Sequence, residues 1–169
     1  MHTLIYALVQ STGEFEESPE ELALETAKLA FDKLVGVGVD NTPVFDYYTA
    51  FDDSDSRVSG PARYGDMPAA LKVDSEEGQQ MLEKAWESTV SAFESNMERV
   101  RRQLDELTDE EIMNDVSNSR YLLNTTSRWK GSSVYLYNSH GQGITTERDL
   151  NYNLNNTDDL WIVPADVHY

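Results

Sequence analysis

The sequence predicts one α/β or α+β domain, an approximately four-stranded sheet with helices packed on it, including one long helix near residues 75–107. Three observations carry this. The chain has 169 residues, the size of a single domain. A segment near each end is apolar on both alternating faces, as central strands are. A helical apolar period also persists through roughly thirty residues in the middle of the chain.

The first strand is Thr3–Gln10, with Leu4, Tyr6 and Leu8 on one face and Ile5, Ala7 and Val9 on the other. Ser18, Pro19 and Glu21 then supply an N-cap hydroxyl, a proline at the first helical position and the return bond of a capping box. The helix they start extends to about Val35, buries Ala23, Ala27, Ala30, Phe31 and Leu34, and stops at Gly36 and Gly38. Val44–Phe51 reads as a second strand, rich in aromatics. A loop of about twenty residues follows, a length that in compact domains often signals function. It carries Arg57, Arg63, Tyr64 and Asp66.

The long helix starts at Asp74 or Ser75. Its apolar positions, Leu82, Trp86, Phe93, Met97, Val100, Leu104 and Leu107, keep the helical period with Thr89 among them. At the standard rise it is about 45 Å long, more than a sheet of this size needs. Its far end is expected to pack on the following helices or on another copy of the chain. Thr108 and Glu111 make a second capping box, and a further helix is expected over Ser119–Arg128. Ser132–Asn138 reads as the third strand, followed by a glycine loop and a short helix capped by Thr145 or Thr146. In the last strand, Trp161, Val163, Ala165, Val167 and Tyr169 share one face. Leu160, Ile162, Pro164, Asp166 and His168 share the other. Pro164 lacks a ladder donor, which marks an edge position or the end of regular pairing.

Charge is the strongest compositional signal: 31 acidic residues against 13 basic ones, net -18. There is no cysteine, which excludes disulfides, thiolate zinc sites and cysteine nucleophiles. No apolar run reaches membrane-spanning length and no basic, signal-like start precedes the first strand, so a cytoplasmic protein is expected. The acids are interleaved with core residues rather than gathered in a tail. Stretches such as GEFEESPEELALE, DDSDSR and LDELTDEEIMND, with few lysines, resemble haloarchaeal and haloviral proteins. The resemblance is compositional, covers the whole chain and implies a salt-rich cytoplasm, where molar salt shortens the Debye length to about 3 Å and screens self-repulsion. It transfers no activity and no site residue.

No catalytic signature, cofactor motif or metal motif is present. Asp53 and Asp55 begin like a calcium loop, but Arg57 and Val58 stand where a ligand and a glycine are required. Direct nucleic-acid binding is disfavoured by the net charge. The leading expectation is a small accessory protein that binds a basic protein surface, or another copy of itself, and presents a DNA-like negative face. Glu87, Glu94 and Glu98 would supply the charge, and Phe93, Met97, Val100 and Leu104 the dry contact. The alternatives are a homo-oligomeric structural protein built through the long helix, or a small-substrate enzyme with its site at strand ends, near His140 and the Arg57–Asp66 loop (Arg57, Arg63, Tyr64, Asp66), joined by Asp166 and His168. Asp166 and His168 lie about 7 Å apart on one strand face, too far for a direct bond. If the terminal strands pair antiparallel, His2 approaches His168.

Overall fold

The computed structural model describes residues 1–11, 18–38, 42–52, 63–121, 133–155 and 159–169. Within them the fold is α+β: a mixed five-stranded sheet with helices on both faces. The elements are β1 (His2–Gln10), α1 (Pro19–Leu34), β2 (Tyr47–Ala50), β3 (Leu71–Lys72), α2 (Glu76–Glu106), α3 (Asp109–Met113), a 3-10 turn at Val116–Asn118, β4 (Leu136–Asn138), α4 (Glu147–Asn155) and β5 (Leu160–His168).

The two strands that are apolar on both faces form the centre. β1 and β5 pair antiparallel over their full length, from His2 opposite His168 to Gln10 opposite Leu160. β4 adds to β1 in parallel, with Tyr6 beside Leu136. The other edge of β5 is shared: β2 pairs with Tyr47 opposite His168, and β3 with Leu71 opposite Ile162. Pro164 is therefore not on an edge strand, and its pairing with β1 is unbroken. The Tyr6 N–H points to the Tyr135 carbonyl at 2.8 Å, so the Tyr6–Pro164 pair turns its polar groups away from each other. The donor that proline lacks falls on the outer edge, in the gap between β2 and β3.

α1 begins at the expected capping box, with Ser18 and Glu21 bonding reciprocally, and buries Ala23, Leu24, Ala27, Ala30, Phe31 and Leu34. Its face of the sheet is a dry cluster that includes Ile5, Ala7, Val9, Trp161, Val163, Ala165 and Val167. The expected strand Val44–Phe51 shortens to Tyr47–Ala50. Val44 and Phe45 instead donate their N–H groups to the Leu34 carbonyl, which closes the C-terminus of α1 and seats Phe45 in the core.

α2 lies on the opposite face. Its N-cap is Ser75 rather than Asp74, with Ser75 Oγ accepting from the Gly78 N–H at 3.0 Å. A Cβ on Gly78 would stand 1.9 Å from the Lys72 carbonyl oxygen, so glycine is required where the helix start crosses β3. Ala85, Met81, Leu82 and Trp86 pack with Tyr6, Leu8, Leu136 and Ile162. Thr89 is fully buried; its hydroxyl donates to the Ala85 carbonyl and accepts from the Tyr135 N–H, tying helix to sheet. Beyond Thr89 the helix leaves the sheet. The Gln103 amide donates to the Ser117 carbonyl, so part of the far end packs on the segment that follows. The second capping box, Thr108–Glu111, opens α3. Of the helix expected over Ser119–Arg128, residues 122–128 lie outside the described residues. β3 was not expected, since a two-residue strand carries no periodicity.

Candidate functional site

The polar chemistry of the α2 face gathers where β1, β2 and β5 end. Asp166 is 1% exposed. Its Oδ2 lies 3.0 Å from His2 Nδ1, and its Oδ1 accepts from the Tyr64 hydroxyl at 3.4 Å. Tyr47 reaches His2 Nε2 from the other side, also at 3.4 Å. The tautomer that completes both bonds donates from Nδ1 to Asp166 and accepts at Nε2 from Tyr47. Burial and the Asp166 charge raise the Tyr64 phenol above its usual range, which keeps it a donor.

His168 takes a different partner. Its Nδ1 lies 3.0 Å from Asp46 Oδ2, Tyr47 stacks flat on its ring at 5.1 Å, and the His2 ring stands edge-on at 5.0 Å. The antiparallel pairing brings the two histidines together, and Asp166 and His168 do not bond to each other. Chemically, the arrangement is two imidazoles, each oriented by a carboxylate. Among the described residues no group of three or more His, Asp or Glu side chains is placed to hold a metal ion.

Beside this cluster lies an open cleft of about 730 Å³, within the range of small-molecule sites. Its walls are Tyr6, Phe51, Met67, Pro68, Leu71 and Met81, with Asp66, Glu77, Gln80 and Lys84 as its polar groups. It occupies the α2 side of the sheet next to the gap that Pro164 leaves between β2 and β3. Tyr64 connects cleft and cluster, since its ring lies edge-on to Phe51 at 6.2 Å while its hydroxyl bonds Asp166.

The structure thus brings Tyr64, Asp66, Asp166 and His168 into one region. Arg63 is exposed beside them, and Arg57 lies outside the described residues. His140 does not join. Asn138 of β4 pairs with Leu8, whereas Asp166 pairs with Leu4, about 13 Å back along β1. His140 is an exposed turn residue whose N–H is capped by the Asn138 side chain at 2.9 Å. The helix residues form a separate surface. Glu87, Glu94 and Glu98 are exposed. Phe93 and Met97 are half-buried, Leu104 is 50% exposed, and Val100 is buried at 6%. Val100 is therefore unavailable as a contact residue, because the chain covers it itself. Sequence reasoning missed Asp46, Tyr47, Tyr6, Phe51, Glu77 and Lys84. Only the apolar alternation of β1 pointed to Tyr6, and it pointed to core.

Fold and site define an acidic α+β domain with a paired imidazole–carboxylate cluster beside a mixed aromatic and acidic cleft. The chain belongs to the family described as Domain of unknown function (DUF7995), which matches it over residues 1–169. No curated protein and no solved structure matches it. No helix among the described residues is long and apolar enough to cross a membrane.

Proposed function

We propose that this chain is a cytoplasmic accessory protein that docks on a basic protein surface through the outer face of α2. The observation that carries the reading is the row Glu76, Glu83, Glu87, Glu94 and Glu98, all exposed, with Lys84 the only base between its ends. The row runs for about 33 Å. A single strand of duplex DNA presents about ten phosphate charges over that length, more than the carboxylates here. Arg99, Arg101 and Arg102, also exposed, then end the negative run. Charge density therefore favours electrostatic docking and fast association over substitution for a whole duplex. Salt adaptation is the competing source of the acids, and it predicts a surface whose charges are interchangeable.

The test is competition with duplex DNA for a panel of basic nucleic-acid-binding proteins, across a potassium chloride series. Glu87→Lys, Glu94→Lys and Glu98→Lys together should abolish competition while circular dichroism stays unchanged. Three reversals on exposed acids of α4 and α3 (Glu147, Asp149 and Glu110) should leave it intact. Equal loss from both sets would reject the docking face and leave solvent adaptation as the source of the charge.

A second reading, acid–base catalysis, is favoured by the Tyr47–His2–Asp166 chain of hydrogen bonds, since an oriented imidazole is the usual proton carrier. It replaces His140 of the sequence expectation with His2.

A further inference from the structure

We propose that the cleft between β2, β3 and α2 binds a protonated organic amine on an apolar body, with Tyr6 as its anchor and Asp66 and Glu77 as its counter-charges. The proposal stands independently of the docking face and of any catalysis.

The first support is an unused polar group. Tyr6 is 3% exposed and lines the cleft, yet its hydroxyl makes no hydrogen bond among the described residues. Of its neighbours, the buried Thr89 hydroxyl bonds twice and the half-buried Tyr64 hydroxyl bonds Asp166. Among the described residues the buried side-chain polar atom without a partner is Ser119 Oγ, so the Tyr6 hydroxyl opens on the cleft, and a polar tip on an otherwise buried ring is a place where a ligand atom can replace water. Burial raises the Tyr6 phenol above its usual range, so it remains a neutral oxygen able to accept from an ammonium N–H.

The second support is the sign and character of the walls. Two carboxylates face one amine, Lys84, and Tyr64 brings the Asp166 charge up behind Phe51. An anion would meet this charge unfavourably. A neutral apolar molecule would leave the Tyr6 hydroxyl dry. A cation gains from both, and the rings of Tyr6 and Phe51 add the attraction that aromatic faces offer an ammonium group. Met67, Met81, Leu71 and Pro68 supply the apolar surface for the rest of the molecule. A bare metal ion fits less well, because the apolar wall offers it no ligand and no group of three or more His, Asp or Glu side chains among the described residues is placed to hold one.

The experiment titrates the intact protein with benzylamine, and separately with benzyl alcohol as its uncharged counterpart, at neutral pH and fixed ionic strength. The Met67 and Met81 methyl signals are followed by NMR. Saturable shifts are expected with the amine, and binding at least about tenfold weaker with the alcohol. Tyr6→Phe keeps the ring in the core, and Asp66→Asn is an exposed, isosteric change. Each should weaken amine binding about three- to tenfold without changing thermal unfolding. Glu147→Gln, an exposed acid on α4, should leave binding unchanged. Equal affinity for amine and alcohol would overturn the proposal, as would the absence of saturable shifts or binding indifferent to Tyr6→Phe and Asp66→Asn. A loss with Glu147→Gln as large as with Asp66→Asn would overturn it too, since the protein would then be acting only as a diffuse polyanion.

Discussion

The two faces of the sheet are built from the same strands and differ in kind. Toward α1, alternate residues of β1 and β5 meet Ala23, Ala27, Phe31 and Phe45 in a core without a buried charge. Toward α2, the intervening residues include Tyr6, Asp166 and His2, and the helix adds Thr89. One face is held by volume. The other is held partly by the hydrogen bonds of Asp166, His2, Tyr64 and Thr89, and it contains the cleft. Because side chains alternate along a strand, each central strand gives stability to one side and chemistry to the other.

The largest effect should come from the dry face. Phe31→Ala removes a fully buried ring and is expected to cost about 4 kcal/mol in denaturant unfolding, with amine binding by the folded fraction unchanged. A loss of binding without loss of stability would erase the division between the faces. On the polar face, Asp166→Ala leaves His2 and Tyr64 without their shared partner. The expected cost is about 2–3 kcal/mol, less than for a fully buried pair because His2 is partly exposed. Asp166→Asn should restore much of it, its amide oxygen accepting from Tyr64 and its NH2 donating to Nδ1 of the other His2 tautomer. If the asparagine variant is as unstable as the alanine variant, charge rather than hydrogen bonding holds the site.

The smallest effect sharpens the comparison at the helix ends. Hydrogen bonds from the backbone N–H and hydroxyl of Ser18 hold the Glu21 carboxyl below its ordinary 4.5, and Thr108 does the same for Glu111. A lowered folded value means that this stabilisation is fully present above the ordinary value and is lost as pH falls through the lowered one. Helicity followed by circular dichroism should fall in acid. The fall should be smaller in Glu21→Ala and Glu111→Ala, which have already lost the pH-dependent part.

What was legible in the sequence was local. Ser18–Glu21 and Thr108–Glu111 announce their helices because a capping box spans four residues. The centrality of β1 and β5 follows from apolar residues on both faces. The site was not legible, because its contacts are not local. Asp166 finds His2 only through the register of two strands far apart in sequence, and Asp46 and Tyr47 come from a third segment. The predicted second strand was too long because Phe45, which alternation reads as strand, is used to plug the end of α1. The proposed contact residue Val100 failed for a related reason: a helical stripe shows which face is apolar but not what already covers it.

The pairing of β1 with β5 also decides when the molecule can come together. Their partners lie as much as 166 residues apart, from His2 to His168, so the central ladder must close a very long loop. Contacts of such separation form late and slow folding. As the chain leaves the ribosome, β1 and its apolar faces emerge before residues 160–168 and must wait for them to be synthesised. A net charge of -18 opposes the approach of two such chains, so the same acids that surround α1 and α2 disfavour pairing of one unpaired strand with another.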